Sequence, residues 1–489
     1  MSTLLITSCR IAWCLVLCGL AGTEPDTDKP VGARPAHPAA AGERGGYAVC
    51  VSKETYADAG WKVAANALVS KHHATLIVYP SGKPSAAVGR LARLAPRYVC
   101  FVARPTEVGR RFVMDVHRLT RRLDDDPYVD CIWGIVTGYD AEDAVRIAKT
   151  EAPLGVRRLL AGTGTPEPFV EGVAFSEGEA GVRREKAPGG TVVVKKGPPD
   201  TTADIVAGLN AGDVDVVITS GHASERDWQI GFSFHGGQLR CRAGRLFGLD
   251  TKGAAHPITT SNPKVYLASG NCLAGHIPDR EAMALAWMHS AGVRQLVGYT
   301  VSTWFGYVGW GTKDYWVGSQ SRLSLAEAFH AAVQADLFEL QQFNAGSAKL
   351  NPDSAILHND MGLLERFGKK HGISDRRNLG LLWDRDAVAF YGDPAWDARL
   401  VPATDPAYRV EVTESPRSDG RLRITVAVTA TRDGAIDKPV FALLDRRVHD
   451  ATLPEGVAAA VADHCVLWKI SGPLRRGEVP QLVFTAAAE

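Results

Sequence analysis

The sequence has no long apolar run, no excess of charge of either sign and no clustered cysteines. The apolar stretch IAWCLVLCGLA near the amino terminus is too short for a stable membrane-spanning helix, and no other window approaches about 18 continuous apolar residues. Lys and Arg number 55 and Asp and Glu number 54, so the net charge of +1 gives no reason to expect nucleic acid or acidic lipid as a partner. These absences predict a soluble, packed protein without a membrane span.

Nine cysteines are present, but no two of them form a CxxC pair. Cys9, Cys14 and Cys18 lie among the first 21 residues, and the other six are widely scattered. This distribution argues against a small disulfide scaffold and against a zinc site of the usual spacing. No HxxxH pattern occurs either, so the sequence predicts no metal centre. Cys50, Cys100 and Cys131 fall in or beside apolar strand patterns and are interpreted as core residues.

The first residues have the pattern of an export signal. Arg10 precedes the apolar run, and Gly19 and Ala21 are small residues at the −3 and −1 positions of a cut before Gly22. We therefore expect a signal peptide over residues 1–21 and a secreted or periplasmic protein. Leu17 is large for a lipoprotein cut before Cys18, which makes lipid anchoring the less favoured alternative. Residues 22–46, rich in Pro, Ala and Gly, are predicted to be a flexible linker.

Three folded segments are predicted beyond the linker. Residues 47–153 alternate apolar strand patterns with helical spacing, which indicates a mostly parallel sheet covered by helices. Residues 154–401 repeat this alternation and form a second, larger α/β subdomain. Residues 402–489 switch to period-two strands separated by Gly, Asp and Pro turns, as in a β-sandwich. The predicted fold class is two mostly parallel open-sheet α/β subdomains followed by a C-terminal β-sandwich.

Two apolar strands of the second subdomain end in residues that carry chemistry. VDVVITSGHASERDW places His222 after a strand, and KVYLASGNCLAG places Cys272 after another. If the two strands are parallel neighbours, their carboxyl ends share the edge at which open α/β sheets bind ligands. A free thiol, with a pKa of about 8.5, is mostly protonated at neutral pH, and an adjacent imidazole can make or stabilise the thiolate. The pattern predicts a Cys272–His222 dyad.

The residues around this pair resemble the gingipain family of cysteine peptidases, which belongs to the same clan as caspases and legumain. GHASERDW is similar to the family's Gly-His-Gly-Ser followed by a Trp, here Trp228, and SGNCLAG is similar to its strand end with Cys and Gly. REAMALAWMHSAGVRQLVGYTVSTW, LSLAEAFHAA and FYGDPAWDARL resemble later segments of the family in the same order. The resemblance covers residues 214–400. It implies a caspase/gingipain-like fold, an immunoglobulin-like C-terminal domain and a peptidase acting on a protein or peptide substrate.

The resemblance also assigns roles around the dyad. The backbone amides of Ala223 and Cys272 would hold the oxyanion, and Ala223 departs from the family's Gly, which reaches a positive φ more cheaply. Trp304, Tyr299 and Trp228 would contact substrate. An acidic residue before the His strand would orient the imidazole, and the sequence does not choose between Glu177 and Glu179. No cofactor is expected. Structural calcium is conceivable only by the resemblance, because no loop offers defensible ligand spacing.

Several alternatives stay open. The chain could be a catalytically inactive gingipain-like binding or scaffold protein, which Ala223 favours. A metal site formed by His222, His276 and Cys272 lacks the expected spacing. The second His-Gly pair, His235-Gly236, is interpreted as a hairpin turn because glycines surround it. It also stays open whether an acidic residue lies at the base of the specificity pocket. Asp314 is near in sequence. P1 specificity, oligomeric state and disulfides cannot be predicted.

Overall fold

The computed structural model describes residues 46–488. The predicted signal peptide and nearly all of the predicted linker lie outside the described residues, as does Glu489. The described chain is a mixed α/β protein with one large, mostly parallel sheet and several smaller antiparallel sheets. None of the helices within residues 46–488 is long and apolar enough to cross a membrane.

The first α/β segment has the elements that its alternating pattern predicts. Its strands are β1 (Tyr47–Ser52), β2 (Thr75–Tyr79), β3 (Tyr98–Val102) and β4 (Ile132–Val136). Its helices are α1 (Lys53–Ala57), α2 (Ala59–His72), α3 (Val88–Leu94), α4 (Arg110–Leu119) and α5 (Ala141–Ala148). Asp140 is the N-cap of α5, because its side chain accepts a hydrogen bond from the Asp143 amide.

The second segment contributes more strands and the longest helix. Its strands are β5 (Leu154–Val156), β6 (Arg158–Ala161), β7 (Glu171–Phe175), β8 (Val182–Lys186), β9 (Val193–Lys196), β10 (Val216–Gly221), β11 (Asp227–Gln229), β12 (Gln238–Arg242), β13 (Arg245–Leu249), β14 (Ala255–Pro257), β15 (Lys264–Asn271), β16 (Val293–Tyr299), β17 (Val388–Tyr391) and β18 (Ala398–Leu400). Its helices are α6 (Thr202–Asn210), α7 (Met283–Ser290), α8 (Tyr307–Ser319), α9 (Leu325–Asn344), α10 (Asp353–His358), α11 (Met361–Lys370) and α12 (Arg376–Asp384).

Strands of both α/β segments lie in one sheet, where the sequence predicted a sheet for each. The strand order is β2-β1-β3-β4-β17-β16-β15-β10-β6-β7-β8-β9. The strands from β2 to β17 are parallel to one another, as are those from β16 to β7, and the antiparallel pair β16/β17 joins the two sets. β17 comes late in the chain and pairs with β4 of the first segment, a contact between distant residues that local periodicity cannot reveal. The carboxyl ends of β10, β15 and β16 share one edge of the sheet.

The C-terminal segment is built from antiparallel strands alone, and its two larger sheets share an apolar core. The strands are β19 (Tyr408–Pro416), β20 (Leu422–Ala430), β21 (Gly434–Ala435), β22 (Val440–Leu443), β23 (Val448–Thr452), β24 (Ala459–Ala462), β25 (Cys465–Trp468), β26 (Pro473–Leu474) and β27 (Gln481–Ala488). Side chains of β20 and β27 from one sheet pack with side chains of β22 and β25 from the other. Alternate residues of β20, such as Ile424, Val426 and Val428, are buried, as the period-two pattern predicts.

Two local predictions differ from the structure. The alanine content of GVAAAVAD predicts a short helix, but the segment contains strand β24, because pairing with β25 outweighs the helix propensity of alanine. Pro278-Asp279 has the residues of a helix start, but the helix after Cys272 begins at Met283, since the Asp279 carboxylate caps a turn by accepting from the Glu281 amide (2.8 Å). Gly292 does follow this helix in the left-handed conformation (φ 75°).

Candidate active site

The strands that precede His222 and Cys272 are parallel neighbours. β10 pairs with β15 in a register that sets Gly221 beside Asn271, after a shift between Thr219 and Ser220. His222 and Cys272 are the next residue of each strand. Since neighbouring strands lie about 4.8 Å apart, the two residues leave the sheet side by side at one edge.

Asn271 connects the two strand ends. Its side chain is completely buried. Its Oδ1 accepts a hydrogen bond from Thr219 Oγ1 (2.5 Å), and its Nδ2 donates to the Gly221 carbonyl (3.4 Å). Asn271, which precedes Cys272, is thus hydrogen-bonded to Gly221, which precedes His222.

A short hairpin fixes the backbone at His222. Gly221 takes the left-handed conformation (φ 91°), which turns the chain out of β10. Ala223 then forms an antiparallel bridge with Trp228, in which the Gln229 amide donates to the His222 carbonyl (2.9 Å). Ala223 is not among the described residues with positive φ, so alanine is accommodated here without backbone strain.

The imidazole of His222 lies at the surface. It stacks on Phe232, with ring centroids 4.8 Å apart and an interplanar angle of 15°. Phe232 is itself 54% exposed, which is unusual for phenylalanine. Among residues 46–488 no side chain hydrogen-bonds the imidazole nitrogens, so the ring is positioned by stacking.

The thiol of Cys272 lies on a turn held by the next strand. Its Sγ accepts a hydrogen bond from the Thr303 amide (3.3 Å), and Thr303 Oγ1 donates to the Asn271 carbonyl (2.9 Å). Leu273 takes a left-handed conformation (φ 60°), which is rare for leucine, and its amide donates to the Val301 carbonyl (3.0 Å). This conformation costs a non-glycine residue about 1–3 kcal/mol, so the hydrogen bonds around Leu273 are needed to hold it.

The two amides to which the family resemblance gives an oxyanion role are both without a hydrogen-bond acceptor among residues 46–488. Neither the Ala223 amide nor the Cys272 amide donates a hydrogen bond to a partner in the described part of the chain. In the Ala223–Trp228 bridge the hydrogen bonds come from the flanking residues, so the Ala223 amide faces away from the hairpin partner. Both amides can donate to a ligand.

The structure distinguishes the two acidic residues that the sequence could not. Ser220 Oγ donates a short hydrogen bond to the Glu177 carboxylate, and the Glu177 carbonyl accepts from the Phe232 amide (2.7 Å). Glu177 therefore supports both the strand end before His222 and the ring on which His222 stacks. Glu179 is exposed and makes no comparable contact.

The three aromatic residues predicted to bind substrate have different positions. Trp304 is 38% exposed, follows Thr303 directly and packs on Trp383 with ring centroids 4.7 Å apart. Tyr299 is completely buried, and its hydroxyl donates to the Asp384 carboxylate (2.7 Å). Trp228 is 2% exposed, and its indole donates to the Ser220 carbonyl (2.8 Å). Tyr299 and Trp228 thus lie in the core, where neither side chain can contact a substrate.

Two sequence candidates remain, His235 and Asp314. His235 is exposed in the connection between the antiparallel strands β11 and β12, as the turn interpretation predicts. Asp314 forms an ion pair with Lys438 of the C-terminal segment (3.2 Å).

A metal site made of His222, His276 and Cys272 is not supported by the geometry. Their potential ligand atoms do not lie within 4.8 Å of one another. Two clusters of described residues meet that distance, one of Asp140, Asp143 and His289 and the other of Asp124, Asp130 and Asp463.

Arg110, at the start of α4, was not predicted at the site. Its guanidinium donates to the Thr300 carbonyl (2.7 Å) and the Leu357 carbonyl (2.6 Å), and it contacts His276 Nδ1 (3.4 Å). Burial, together with the charge of Arg110, lowers the pKa of His276 to about 4. His276 is therefore neutral at physiological pH. Arg110 connects the turn after Cys272 with the segment after β16, and no local signal in the sequence points to it.

Comparisons of the chain with models of known protein families, with curated proteins and with solved structures find no match.

Proposed function

We propose that the protein is a cysteine endopeptidase in which Cys272 is the nucleophile and His222 is the general acid and base. The observation that carries this proposal is the register of β10 and β15, which places the two residues next to each other at one sheet edge. A thiol beside an imidazole, at the carboxyl ends of parallel strands, is the arrangement that acyl transfer by cysteine requires.

The reaction follows from these groups. The Cys272 thiol passes its proton to His222, and the thiolate attacks the peptide carbonyl carbon. The Ala223 and Cys272 amides hold the developing oxyanion. His222 then returns the proton to the leaving amine as the C–N bond breaks, which leaves a thioester. Water, deprotonated by His222, hydrolyses the thioester and restores the thiol.

Exposed aromatic rings border the proposed reaction centre. Phe232 stacks on His222. Trp304 follows Thr303, whose amide donates to the Cys272 thiol. Both are exposed although they are large and apolar. Such rings can hold a peptide backbone or an apolar side chain on either side of the scissile bond.

The finer identity of the fold is part of the same proposal. We propose a caspase/gingipain-like arrangement for the α/β body, which the shared carboxyl edge of β10, β15 and β16 supports. For the C-terminal segment we propose an immunoglobulin-like sandwich, which its two antiparallel sheets around one apolar core support. Export by a signal peptide remains the expectation from residues 1–21.

A second candidate is a binding protein that lacks peptidase activity. It is favoured by the position of the His222 ring, which stacks on Phe232 and has no hydrogen-bonding acidic partner among the described residues. In such a protein the same exposed rings would bind a peptide without cleaving it.

One experiment separates these candidates. A thiol-directed electrophile and a peptide library are offered to the wild-type protein, to Cys272→Ala and to Cys241→Ala, and labelled cysteines are identified by mass spectrometry. Cys241 is a matched control, since it is also partly exposed, but burial raises the pKa of its thiol to about 12. We expect Cys272 to label at least about tenfold faster than Cys241, and only Cys272→Ala to lose turnover. Slow labelling of Cys272, with no peptide cleaved by the wild type, would rule out the peptidase.

A further inference from the structure

Several aspartates lie in the loop between α4 and β4, within the segment DDDPYVD at residues 124–130. The Asp124 carboxylate accepts a hydrogen bond from the Asp126 amide (2.9 Å), and the Asp126 carboxylate accepts one from the Tyr128 amide (2.7 Å). From sequence alone, these adjacent aspartates are interpreted as a solvated loop, because neighbours in one loop cannot all face one ion. Asp130 does not fit that interpretation, since it is only 1% exposed.

Another carboxylate reaches this loop from the C-terminal strands. Asp463 lies in the turn between β24 and β25 and is 5% exposed. Asp124, Asp130 and Asp463 each have a carboxylate oxygen within 4.8 Å of the others. Residues that are far apart in sequence therefore form one carboxylate cluster at the junction of the α/β body and the C-terminal sheets.

Two oxygens of the cluster are buried without an N–H or O–H donor among residues 46–488. Asp130 Oδ2 accepts a hydrogen bond from the Leu123 amide (2.8 Å), and Asp463 Oδ1 pairs with Arg447. The other oxygens, Asp130 Oδ1 and Asp463 Oδ2, accept no hydrogen bond from an N–H or O–H donor among residues 46–488, and the Asp130 and Asp463 carboxylates lie close enough to share a proton. A buried carboxylate oxygen without a partner is costly, and in native proteins it usually marks a bound ion, a water or a proton.

Among residues 46–488, Arg447 is the cation that forms ion pairs with the cluster. Arg447 pairs with Asp463 and also with Asp124 (3.3 Å). When all three carboxylates are ionised, one guanidinium leaves two of their charges without compensation. Burial therefore raises the pKa of Asp130 and of Asp463 well above the ordinary value. The Asp124 side chain is 35% exposed, so an ion can enter from solvent on that side.

We propose that Asp124, Asp130 and Asp463 bind a Ca²⁺ ion, which fastens the 124–130 loop to the β24–β25 turn. Carboxylate oxygens are the ligands that Ca²⁺ prefers, and its Ca–O distances of about 2.3–2.6 Å suit oxygens within 4.8 Å of one another. Mg²⁺, with distances of about 2.1 Å and strict octahedral geometry, requires the oxygens to approach more closely. The cluster holds no sulfur or imidazole donor, which disfavours Zn²⁺. Water completes the coordination on the exposed side.

The test uses the full-length protein, freed of metal with a chelator and then titrated with CaCl₂ or MgCl₂. Binding is followed by isothermal titration calorimetry, and the melting temperature is measured in parallel. Asp124→Asn and Asp463→Asn remove ligands, and Asp124→Asn is the safer variant because its side chain is partly exposed. Asp125→Asn is the matched control, since Asp125 is an exposed neighbour in the same loop with the same charge.

We expect Ca²⁺ to bind the wild type and Asp125→Asn alike and to raise the melting temperature of both by about 3 °C or more. Asp124→Asn should bind Ca²⁺ about tenfold more weakly or worse, and Asp463→Asn should lose the response. No heat and no thermal shift with Ca²⁺ in the wild type would overturn the site. The site would also be overturned if Asp124→Asn and Asp463→Asn both bound Ca²⁺ with the affinity of the wild type. A melting temperature that follows pH but not Ca²⁺ would show that Asp130 and Asp463 share a proton instead.

Discussion

At the scale of single residues, the proposed dyad depends on neighbours that carry no reactive group. Asn271 fixes the distance between the strand ends, and Thr303 contacts the thiol through its amide and the strand end through its hydroxyl. On the histidine side, the Glu177 carboxylate accepts a hydrogen bond from the Ser220 hydroxyl, and the Glu177 carbonyl accepts one from the Phe232 amide. The acidic residue thus acts on His222 only through other groups, which makes it a positioning residue.

This role of Glu177 can be measured. Replacing it by alanine removes the acceptor of the Ser220 hydroxyl, a hydrogen bond to a charged group worth about 1.5–3 kcal/mol. We expect Glu177→Ala to lower kcat by about tenfold or more with little change in KM, as loss of positioning does. Glu177→Gln should retain most of the activity, because the amide oxygen still accepts the bond.

Glu179→Ala is the control for this measurement, since Glu179 is exposed in the same loop. Its steady-state kinetics should match those of the wild type. Equal losses in Glu177→Ala and Glu179→Ala, or a lower melting temperature that accounts for the loss in Glu177→Ala, would contradict the positioning role.

The strand-end positions of His222 and Cys272 could be predicted from the sequence better than the surroundings of these residues. His222 and Cys272 could be found because each follows an apolar strand with a small-residue tip. Tyr299 and Trp228 were predicted to contact substrate, yet both rings are buried, because only the packed structure decides whether an aromatic ring near a strand end faces the core or the solvent. Arg110 reaches the site from another segment of the chain, so no local pattern contains it.

At the scale of elements, the turn after Cys272 lies unusually close to β16. The Gly275 amide donates to the Tyr299 carbonyl (2.8 Å). A Cβ atom at Gly275 would come within 2.2 Å of the Gly298 carbonyl oxygen. Two glycines facing each other thus allow the turn after Cys272 to lie against β16.

We predict that Gly275→Ala displaces this turn. Relief of the clash requires a backbone shift, which typically costs about 1–3 kcal/mol. The free energy of unfolding, measured by urea denaturation, should fall by that amount, and the labelling rate of Cys272 should fall as well.

Gly318→Ala provides the comparison, because Gly318 lies in α8 with nothing near its missing side chain. Alanine favours a helix over glycine by up to about 1 kcal/mol, so this variant should be at least as stable as the wild type. If Gly275→Ala labels and unfolds like Gly318→Ala, the close approach has no consequence for the site.

Element types were predictable from the sequence where periodicity is strong. The four strands of the first segment and the period-two strands of the C-terminal segment occur where the pattern places them. The start of α7 and the strand β24 were missed, because a capped turn and a strand partner override local propensity there. The joining of both α/β segments into one sheet depends on β17, which pairs with strands far away in sequence.

At the scale of the whole molecule, Asp393 connects the two α/β segments. It lies just after β17, and its buried carboxylate accepts hydrogen bonds from Tyr47 Oη (2.8 Å) and Lys71 Nζ (2.9 Å) and contacts His72 Nε2 (2.7 Å). Burial alone would raise the pKa of Asp393, but the hydrogen bond and charge of His72 and the charge of Lys71 hold it well below the ordinary value of 3.8.

Replacing this residue should weaken the whole fold in a pH-dependent way. Breaking a buried ion pair costs about 3–5 kcal/mol, so we expect Asp393→Asn to lose stability of that order at pH 7. Because the folded-state pKa lies below the unfolded value, the contribution of Asp393 is complete above the unfolded pKa and is lost as pH falls through the folded one. The difference between wild type and variant, from urea denaturation, should shrink below about pH 4.

Asp405→Asn is the matched surface control, since Asp405 pairs with Arg409 on largely exposed side chains. Exposed pairs contribute about 0–1 kcal/mol, so this variant should unfold nearly like the wild type. A loss in Asp393→Asn no larger than in Asp405→Asn, or one that stays constant down to pH 3, would refute the connecting role.

The late position of β17 in the chain also sets the order in which the sheet can be completed. β4 ends at Val136, whereas its neighbour in the sheet begins only at Val388. Until the ribosome has made residue 391, β4 and β16 each have one edge without a partner, although both are entirely buried in the finished protein. Open strand edges pair readily with other chains, and pairing across long separations is slow. The growing polypeptide therefore passes through an aggregation-prone stage that ends only when β17 inserts between the two halves.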